Sequence, residues 1–474
     1  MAARVKFDIA IIGAGSGGLS VAAGAAQLGA KVALIEAHKM GGDCLNTGCV
    51  PSKALIAAAG MAHAVRHSAR FGVNGHDPQI DFARVHAHVH GVIAAIAPHD
   101  SVERFEGLGV HVLKASGRFT GHSTVAAGET EIEARRIVIA TGSRTLIPEI
   151  PGLDRVPYLT NETVFDLMEA PAHLVVIGGG PIGVELAQAH RRLGAQVTII
   201  EAFKILPKDD PEAVDVVRQR LRVEGIDVLE NARVLTVGPL GNGAYLDVDI
   251  GGIRRRIEGS HLLLAAGRRP HLDGLELEAA GIEATPAGIK VDKRLRTSNR
   301  RVFAIGDVAG GYQFTHLAGY QAGIVIRNAL FNLPASVDTR AVPWVTYSDP
   351  ELAHVGMNEA QAQEIDGRSR ALRWSFENND RAQAERETAG FAKVVVSRNG
   401  RVLGATIVGQ HAGELILPWV IAVHKQLGIG DMTSIIAPYP TLSEISKRVA
   451  GAWYTPRLFS ERSRRVVRLM QMLP

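Results

Sequence analysis

The sequence has few cysteines, little net charge and no long apolar run. Only Cys44 and Cys49 occur among 474 residues, and a chain of this length buries enough apolar surface to fold without a disulfide framework. The net charge is +4 without a long basic block, which argues against nucleic acid as a partner. No apolar run reaches the ~18 residues of a membrane span, and residues 1–7 show no signal peptide. The expected location is therefore the cytoplasm.

Composition is typical of a globular protein with several domains. Hydrophobic residues make up 46% and charged residues 21%, a balance that excludes disorder, collagen and a coiled coil. At roughly 150 residues per domain, the length suggests about three domains. Glycine is abundant, with 51 residues against a usual share of about 7%. Such an excess indicates tight turns and close backbone approaches, as nucleotide-binding loops require.

An internal repeat with an offset of 165 residues organises the first half of the chain. Residues 7–36 read FDIAIIGAGSGGLSVAAGAAQLGAKVALIE, and residues 173–201 read HLVVIGGGPIGVELAQAHRRLGAQVTIIE. The matched positions are Gly13 with Gly178, Gly29 with Gly194, and Glu36 with Glu201. Each copy has an apolar run, a G-x-G-x-x-G turn, a helix of small residues and a second apolar strand that ends in glutamate. This is the order that the dinucleotide-binding fingerprint requires.

The residue types of the fingerprint follow from its chemistry. The first glycine allows the tight turn, the second lets the backbone approach a pyrophosphate, and the third lets the helix pack on the strand. The N–H groups of the helix start attract phosphate, and the final glutamate accepts hydrogen bonds from a ribose. These positions are Gly13, Gly15, Gly18 and Glu36 in the first copy and Gly178, Gly180, Gly183 and Glu201 in the second. Two copies in register predict that the chain binds two dinucleotides.

The second glutamate also indicates which nicotinamide cofactor is used. A carboxylate suits the ribose of NADH and would repel the 2′-phosphate of NADPH. Glu201 therefore favours NADH, although Lys204 lies close by in the sequence.

The two cysteines lie in residues 40–55, which read MGGDCLNTGCVPSKAL. The simple interpretation is a pair of buried apolar cysteines. A redox pair is favoured because they are the only cysteines, lie in a Gly- and Pro-marked loop and directly follow a nucleotide-binding unit. Near a helix N-terminus a thiol is acidified, which favours a thiolate at neutral pH.

The segment GGDCLNTGCVPSK resembles the redox-active segment of the FAD-dependent pyridine nucleotide–disulfide oxidoreductases, a family that includes dihydrolipoamide dehydrogenase, glutathione reductase and mercuric reductase. Further motifs that resemble this family follow along the chain, namely ATGS at 140–143, GRRP at 267–270, AIGDV at 304–308 and VPWVTYSDPELAHVG at 342–356. They resemble, in turn, the crossing between the FAD and NAD domains, the end of the NAD domain, the second FAD motif and the start of the dimerisation domain. The chain is identified as a class I member, in the dihydrolipoamide dehydrogenase and mercuric reductase branch.

The resemblance implies an α/β fold with two Rossmann-like dinucleotide-binding domains, for FAD and NAD, and an α+β dimerisation domain. The FAD domain would be discontinuous, at 1–150 and 273–340, around an NAD(P) domain at 151–272. Residues 341–474 would form the interface of a homodimer and carry a basic tail. One FAD per subunit and NADH are the implied cofactors, and no resident metal is expected. Beyond the two fingerprints, the residues expected at the cofactors are Gly42, Thr141, Gly142, Gly267, Gly306, Asp307 and His316.

The resemblance also implies a route for the electrons. Two electrons would pass from NADH through FAD to the disulfide Cys44–Cys49 and on to an acceptor. Cys49 would be the thiolate against the flavin, and Cys44 the interchange thiol that faces the substrate. Lys53 would lie near flavin N5 and pair with Glu185, where its charge stabilises the reduced flavin.

The segment PYPTLSE at 438–444 departs from the dithiol-exchanging relatives. Dihydrolipoamide dehydrogenases carry a histidine at the position of Tyr439, backed by a glutamate, here Glu444, and these two are the expected catalytic residues of the segment. Tyrosine, with a reference pKa of ~10 against ~6.5 for histidine, is a poor proton shuttle near neutral pH. Mercuric reductases carry tyrosine here, but also a C-terminal cysteine pair and often an N-terminal metal-binding module, and neither is expected in this chain. The acceptor is therefore left open between a small-molecule disulfide and a metal ion.

Three weaker signals have ordinary interpretations beside functional ones. His63 with His67 and His86 with His90 are each spaced for one helix face, which suits a metal but is more typical of a solvated surface. The tail at 454–474 combines five arginines with apolar residues, so it either packs on the dimer or makes peripheral contact with an anionic membrane. Two alternative functions stay open, an NAD(P)H:quinone reductase and a non-catalytic flavin and thiol redox sensor.

Overall fold

The structure of the protein is a computed structural model that describes residues 4–472. Among these residues the chain divides into two units, the first comprising 4–202 and 229–337 and the second 203–228 and 338–472. Each unit contains both helices and sheets, which confirms the mixed α/β class. The predicted domain bounds, including the division between FAD and NAD domains, stay predictions.

Helices and strands alternate through much of the first unit, as the crossover connections of a parallel sheet require. The α-helices are α1 Ser16–Gln27, α2 Gly42–Asn46, α3 Cys49–Arg66, α4 Phe82–Ile96, α5 Val102–Gly107, α6 Pro181–Arg192, α7 Pro211–Val223, α8 Thr315–Ala329, α9 Glu359–Ile365, α10 Asp380–Glu385, α11 Ala412–Leu415, α12 Leu417–Lys425, α13 Ile429–Thr433, α14 Glu444–Gly451, α15 Thr455–Leu458 and α16 Glu461–Met470. The strands are β1 Arg4–Ile12, β2 Val32–Glu36, β3 His111–Lys114, β4 Gly117–Gly121, β5 Thr124–Ala127, β6 Thr130–Ile139, β7 Ser143–Thr145, β8 His173–Ile177, β9 Gln196–Ile200, β10 Asp227–Leu229, β11 Ala232–Leu240, β12 Gly243–Ile250, β13 Ile253–Gly259, β14 His261–Leu264, β15 Arg268–Pro270, β16 Ala284–Thr285, β17 Gly288–Ile289, β18 Val302–Ala304, β19 Pro343–Thr346, β20 Glu351–Gly356, β21 Arg370–Ser375, β22 Phe391–Val396 and β23 Val402–Gly409.

The main sheet of the first unit has seven strands in the order β3-β2-β1-β6-β5-β4, with β18 paired to β6. β1 pairs in parallel with β2 and β6, so its apolar residues 9–12 are covered by strands on both sides. A continuous apolar run is typical of such a buried parallel strand. The carboxyl ends of β1 and β2 bring Gly13 and Glu36 to one edge of the sheet, where ligands of open parallel sheets bind.

A second parallel sheet reproduces this arrangement around β8, which pairs with β9 on one side and β14 on the other. The predicted repeat holds at the level of single hydrogen bonds. The Gly13 N–H donates to Ile35 O at 2.8 Å, and the Gly178 N–H donates to Ile200 O at 2.9 Å. The two glycine turns therefore share one backbone geometry.

The second unit is built on an antiparallel sheet in the order β19-β20-β23-β22-β21. Trp419 is fully buried beside this sheet, with its Nε1 donating to Ser446 Oγ at 3.1 Å. Lys393 on β22 pairs with two carboxylates at the start of α7, at 2.9 Å from Asp210 Oδ2 and 2.8 Å from Glu212 Oε2. Because Lys393 is buried, these partners compensate for the loss of water around its charge. Helix α7 therefore belongs to the second unit.

One helical stretch among the described residues, Gly42–Arg66, is long and apolar enough to cross a membrane by length and composition. The apolar runs of the sequence do not indicate this stretch. The evidence for a span is weak, because the stretch contains two helices and carries Lys53 in an ion pair, and α3 packs against α4 and α6 of the first unit.

His190 on α6 is buried, and neither ring nitrogen has a hydrogen-bond partner among the described residues. Its ring stacks on Phe82 of α4, with the ring centroids 6.0 Å apart. Burial, with a smaller effect of His261, lowers the pKa of His190 to about 4. The folded protein therefore holds His190 neutral at physiological pH.

We predict that the free energy of unfolding falls as the pH drops from 6.5 towards 4. In this interval the unfolded chain protonates His190 whereas the folded chain does not, so protons favour the unfolded state. The lost contribution reaches about 3 kcal/mol near the folded pKa and below it. Urea unfolding at several pH values measures the effect, and His190→Leu should lose less stability than the wild type. An equal pH dependence in both proteins would contradict the prediction.

Candidate active site

The first and third glycines of each turn are required by the backbone. Gly13 has a φ of +104° and Gly178 a φ of +116°, and a Cβ on them would lie 2.4 and 2.3 Å from a carbonyl oxygen. A Cβ on Gly18 would lie 1.9 Å from Gly13 O, and a Cβ on Gly183 would lie 2.0 Å from Gly178 O. Only glycine allows these approaches, which pack the first glycine against Ala140 or Ala265 and the third glycine, at the helix start, against the first.

The middle glycine of each turn is not required by its own backbone conformation or by a close contact among the described residues. Gly15 has a φ of −81° and Gly180 a φ of −72°, which any residue adopts. Among the described residues outside the immediate chain, no atom lies within 4 Å of a Cβ on Gly180, and Gly42 Cα lies 4.0 Å from a Cβ on Gly15. The open space in front of both glycines fits a pyrophosphate that approaches the backbone.

The helices that follow the two turns begin without side-chain caps. Neither α1 nor α6 has a capping hydrogen bond or an acidic residue in its first turn. By contrast, α4 and α7 begin after Asp81 and Asp210, whose carboxylates accept backbone N–H groups. The first N–H groups of α1 and α6, with the positive end of each helix dipole, are therefore available to phosphate.

Glu36 and Glu201 hold the glycine turns from the end of the next strand. Glu36 Oε2 accepts a hydrogen bond from the Ala14 N–H at 2.6 Å, and Glu201 Oε2 accepts one from the Gly179 N–H at 2.7 Å. Both carboxylates lie at the position from which this fingerprint binds a ribose. The residues present therefore fit two dinucleotides.

The two cysteines meet at the start of a helix, with Cys44 on α2 and Cys49 as the first residue of α3. Both are free thiols. A hydrogen bond from the Cys44 thiol, helped by Thr315 and the Lys53 ammonium, lowers the pKa of Cys49 to about 6 in spite of burial. The same hydrogen bond, together with burial, raises the pKa of Cys44. These effects favour the negative charge on Cys49 and the proton on Cys44.

Thr315, the first residue of α8, also contacts the thiol pair. Its Oγ1 lies 3.6 Å from Cys49 Sγ, within hydrogen-bond distance of sulfur. The sequence analysis named the neighbouring His316, whose ring stacks on Phe314 with centroids 5.2 Å apart. It missed Thr315, since nothing in the sequence indicates that a residue 266 positions away reaches Cys49.

The ion pair expected between Lys53 and Glu185 is present, with Nζ 2.8 Å from Oε2. Lys53 lies on α3, one turn after Cys49, and Glu185 lies on α6. The pair therefore joins the helix of the cysteines to the helix of the second glycine turn. Glu185 is buried and Lys53 only partly exposed, so the charge-assisted hydrogen bond fixes the ammonium near the thiolate.

Asp307 is held by a polar network that the sequence analysis did not predict. Ser143 Oγ donates to Asp307 Oδ2 at 2.5 Å, and Arg268 Nε donates to Ser143 Oγ at 2.8 Å. Arg268 Nη2 also lies 3.3 Å from the carboxylate of Asp43, which precedes Cys44. Burial raises the pKa of Asp307, while Ser143 and Arg268 oppose the rise. The motifs of these residues were visible in the sequence, but only the pairing of β7 with β15 brings them together.

The other expected cofactor residues lie at the connections around this network. Thr141 Oγ1 donates to His271 O at 2.8 Å, and the Gly306 N–H donates to Gln321 Oε1 at 2.7 Å. Gly142 and Gly267 directly precede the paired strands β7 and β15, and Gly42 begins α2 next to Gly15. Their contacts with a cofactor stay predictions.

Tyr439 and Glu444 lie in the second unit. The Tyr439 hydroxyl donates to Asp380 Oδ2 at 2.9 Å, and this carboxylate raises the pKa of the phenol. The phenol therefore keeps its proton at neutral pH. Glu444, at the start of α14, lies 2.7 Å from Arg448 Nη2 on the same helix. In this chain the glutamate is paired with a cation.

These features define a class of redox protein. Two glycine turns leave room for phosphate, and in each turn a backbone N–H donates to a glutamate carboxylate. Both turns lie in the same unit as the pair of thiols. Such a protein passes two electrons from one dinucleotide, through a second, to a disulfide, which is reduced to the dithiol.

The chain belongs to the pyridine nucleotide-disulphide oxidoreductases. Residues 7–322 match this family, and residues 342–450 match its dimerisation domain. The family binds FAD and uses NAD(P)H. The dimerisation domain supports the predicted homodimer.

The chain is also similar to individual proteins along nearly its whole length. It is 36% identical over 441 residues to a mercuric reductase of Bacillus cereus, covering 92% of this chain and 70% of the relative. It is 35% identical over 455 residues to a dihydrolipoyl dehydrogenase of Geobacillus stearothermophilus, covering 94% and 96%. The Cu(II) complex of the HOCl-induced flavoprotein disulfide reductase RclA from Escherichia coli superposes with a TM-score of 0.84 at 29% identity, covering 93% and 98%. The chain is therefore an FAD-dependent pyridine nucleotide–disulfide oxidoreductase that acts on a disulfide or metal acceptor.

We predict that alanine at one glycine of the second turn weakens cofactor binding, and that alanine at another lowers stability. Gly180→Ala should leave the Tm within about 2 °C of the wild type, because its Cβ meets open space, but raise the KM for the nicotinamide cofactor about ten-fold or more. Gly183→Ala should lower the Tm by several degrees or prevent accumulation, because its Cβ meets a carbonyl oxygen. Thermal unfolding and steady-state kinetics check both, and a Gly180→Ala enzyme with unchanged KM would contradict the assignment.

We predict that Thr315→Val raises the pKa of Cys49, because the thiolate loses one hydrogen bond. The rate of iodoacetamide alkylation of the reduced holoenzyme, measured against pH, reports this pKa. Thr47→Val is the matched control, since the Thr47 hydroxyl donates to Asp43 at 2.8 Å and not to sulfur. A Thr315→Val profile that coincides with the wild type and the control would remove Thr315 from the site.

Proposed function

We propose that this enzyme oxidises NADH and passes the electrons through Cys44 and Cys49 to a soft or borderline metal ion, in preference to a small-molecule disulfide. The observation that carries the proposal is the thiol pair itself, with Cys44 on α2, Cys49 at the start of α3 and Thr315 Oγ1 3.6 Å from Cys49 Sγ. The pKa of Cys49 is lowered to about 6 by the Cys44 thiol, Thr315 and Lys53, which favours a thiolate there. Thiolates are the ligands that soft metal ions prefer. Cys44 and Cys49 are also the only cysteines of the sequence, so they are the residues that can bind a metal ion through a thiolate.

The residues described above would hold both dinucleotides. FAD, when bound, supplies the two-electron carrier between the nicotinamide and the sulfur pair. The residues that would hold FAD are Gly13, Gly15, Gly18, Glu36, Gly42, Thr141, Gly142, Gly306, Asp307 and His316. Those that would hold the nicotinamide cofactor are Gly178, Gly180, Gly183, Glu201 and Gly267. The carboxylate of Glu201 supports NADH as the preferred donor, because it would repel a 2′-phosphate.

The two thiols and the side chains next to them have different roles in the redox centre. The Lys53 ammonium, held by Glu185 at 2.8 Å, and the Thr315 hydroxyl stabilise negative charge on Cys49. Cys44 keeps its proton until an acceptor binds, and loses it when its sulfur becomes a ligand. The two sulfur atoms then form one site for a metal ion.

The balance of protons favours a metal acceptor over a disulfide. One NADH provides two electrons, which reduce one mercuric ion to the metal or two cupric ions to cuprous ions. Reduction of a disulfide consumes two protons in addition to the two electrons, and therefore depends on an acid–base group near neutral pH. Tyr439, whose pKa is raised by Asp380, does not provide one. The similarity to a mercuric reductase and to a protein crystallised as a Cu(II) complex supports the same acceptor class.

A quinone acceptor is a second candidate, favoured by the exposed C-terminal helix. No residue of α16 is buried, and Val466, Val467, Leu469 and Met470 are each more than half exposed. Arg464, Arg465 and Arg468 occupy the opposite face of this helix, a pattern typical of helices that lie on an anionic membrane, where quinones are dissolved. For the enzyme itself we propose a cytoplasmic location, which suits two free thiols.

We predict that the holoenzyme with NADH reduces Hg²⁺ or Cu²⁺ faster than lipoamide or glutathione disulfide, and that NADPH is about ten-fold or more less effective. Tyr439→His should raise lipoamide turnover by about ten-fold or more, because an imidazole titrates near neutral pH, without raising metal reduction. NADH consumption measured against each acceptor checks these rates. Tyr158→His, which changes another exposed tyrosine, is the control.

Fast lipoamide turnover by the wild type would refute the preference for a metal. Cys44→Ser should abolish metal and disulfide reduction, and quinone reduction that survives this variant would identify a route without the thiols. Low turnover with every acceptor would instead favour a redox sensor.

A further inference from the structure

Two histidines and a carboxylate converge on the surface of the first unit. His86 and His90 lie one turn apart on α4, and their ring centroids are 4.1 Å apart. Asp166, from the short turn at 164–166, places its Oδ1 at 3.5 Å from His90 Nε2. One potential ligand atom of each residue lies within 4.8 Å of the others.

This spacing is close to that of a metal site. With metal–ligand distances of about 2.0–2.2 Å, the ligand atoms of a tetrahedral zinc site lie about 3.4 Å apart. The His90–Asp166 pair has about this separation at 3.5 Å, and the three ligand atoms all lie within 4.8 Å of one another. Two imidazoles and one carboxylate are a ligand set that Zn²⁺ and similar borderline ions accept.

The third ligand is held in place by the fold. Asp166 directly follows Val164 and Phe165, which are both buried. The Phe165 carbonyl oxygen lies 3.2 Å from His90 Nε2, so this nitrogen faces the turn, and a metal ion bound to it would replace the proton that it donates to the carbonyl. The turn and the helix therefore present their ligands without a large rearrangement.

The other histidine pair lacks this arrangement. His63 and His67 on α3 stack at the same centroid distance of 4.1 Å. In the part of the chain that the structure describes, only the α4 pair belongs to a group of three potential ligands. The two pairs look alike in the sequence and differ in the presence of Asp166.

We propose that His86, His90 and Asp166 bind one borderline divalent metal ion, with Zn²⁺ as the representative ion, at a site separate from the thiol pair. The Asp166 side chain is 67% exposed, so the fourth coordination position is open to water. The bound ion links α4 to the turn at 164–166 and stabilises the folded unit, because it binds only where both are in place. This site is independent of the proposed redox function.

Equilibrium dialysis of the oxidised holoenzyme against Zn²⁺, followed by elemental analysis, tests the proposal. Oxidation to the disulfide keeps Cys44 and Cys49 from binding zinc, and the double variant Cys44→Ser/Cys49→Ser repeats the measurement without thiols. We expect one zinc ion per chain, and a loss of affinity of about ten-fold or more in His86→Ala and in Asp166→Asn. His63→Ala/His67→Ala is the matched control and should bind as the wild type does.

Thermal unfolding gives a second readout. Zn²⁺ should raise the Tm of the wild type and the control but not that of Asp166→Asn, whose Tm without zinc should match the wild type. The proposal is overturned if the wild type binds no zinc in the disulfide form, or if the α4 variants and the α3 control lose affinity to the same extent.

Discussion

The hydrogen bond from Cys44 to Cys49 is the interaction on which the chemistry of this protein depends. It favours negative charge on Cys49 over Cys44, and lowers the pKa of Cys49 to about 6. Its geometry rests on the surrounding elements. Gly42 packs against Gly15 where α2 begins, and the Lys53–Glu185 ion pair fixes α3.

Duplication explains how one chain builds two dinucleotide sites. The first and third glycines of each turn are fixed by contacts with the protein's own carbonyl groups, and the middle glycines face open space. In both turns a backbone N–H donates a hydrogen bond to the glutamate carboxylate, at 2.6 Å in the first and 2.7 Å in the second. The sites differ in what surrounds the turns, since Gly15 of the first turn lies next to Gly42, the first residue of the helix that carries Cys44.

Much of the fold and part of the site were predictable from the sequence. The repeat and both glycine turns follow from motifs that are short in sequence, and the Lys53–Glu185 pair was implied by the resemblance to the family. The sequence analysis did not find Thr315 beside Cys49, nor the bridge from Asp43 through Arg268 and Ser143 to Asp307. Each of these residues stood in or next to a recognised motif, but their side chains meet only because β7 pairs with β15 and α8 begins beside α3.

The sequence by itself determined the turns and the order of the elements, because the backbone freedom of glycine and the period of apolar residues act over a few neighbouring positions. Tertiary structure decided which side chains stabilise each other's charge and which lie close enough together to bind one metal ion. The acidity of Cys49 depends on a hydroxyl 266 positions away, and two similar histidine pairs are distinguished by one aspartate from another part of the chain. Such contacts join residues that only packing brings within a few ångströms.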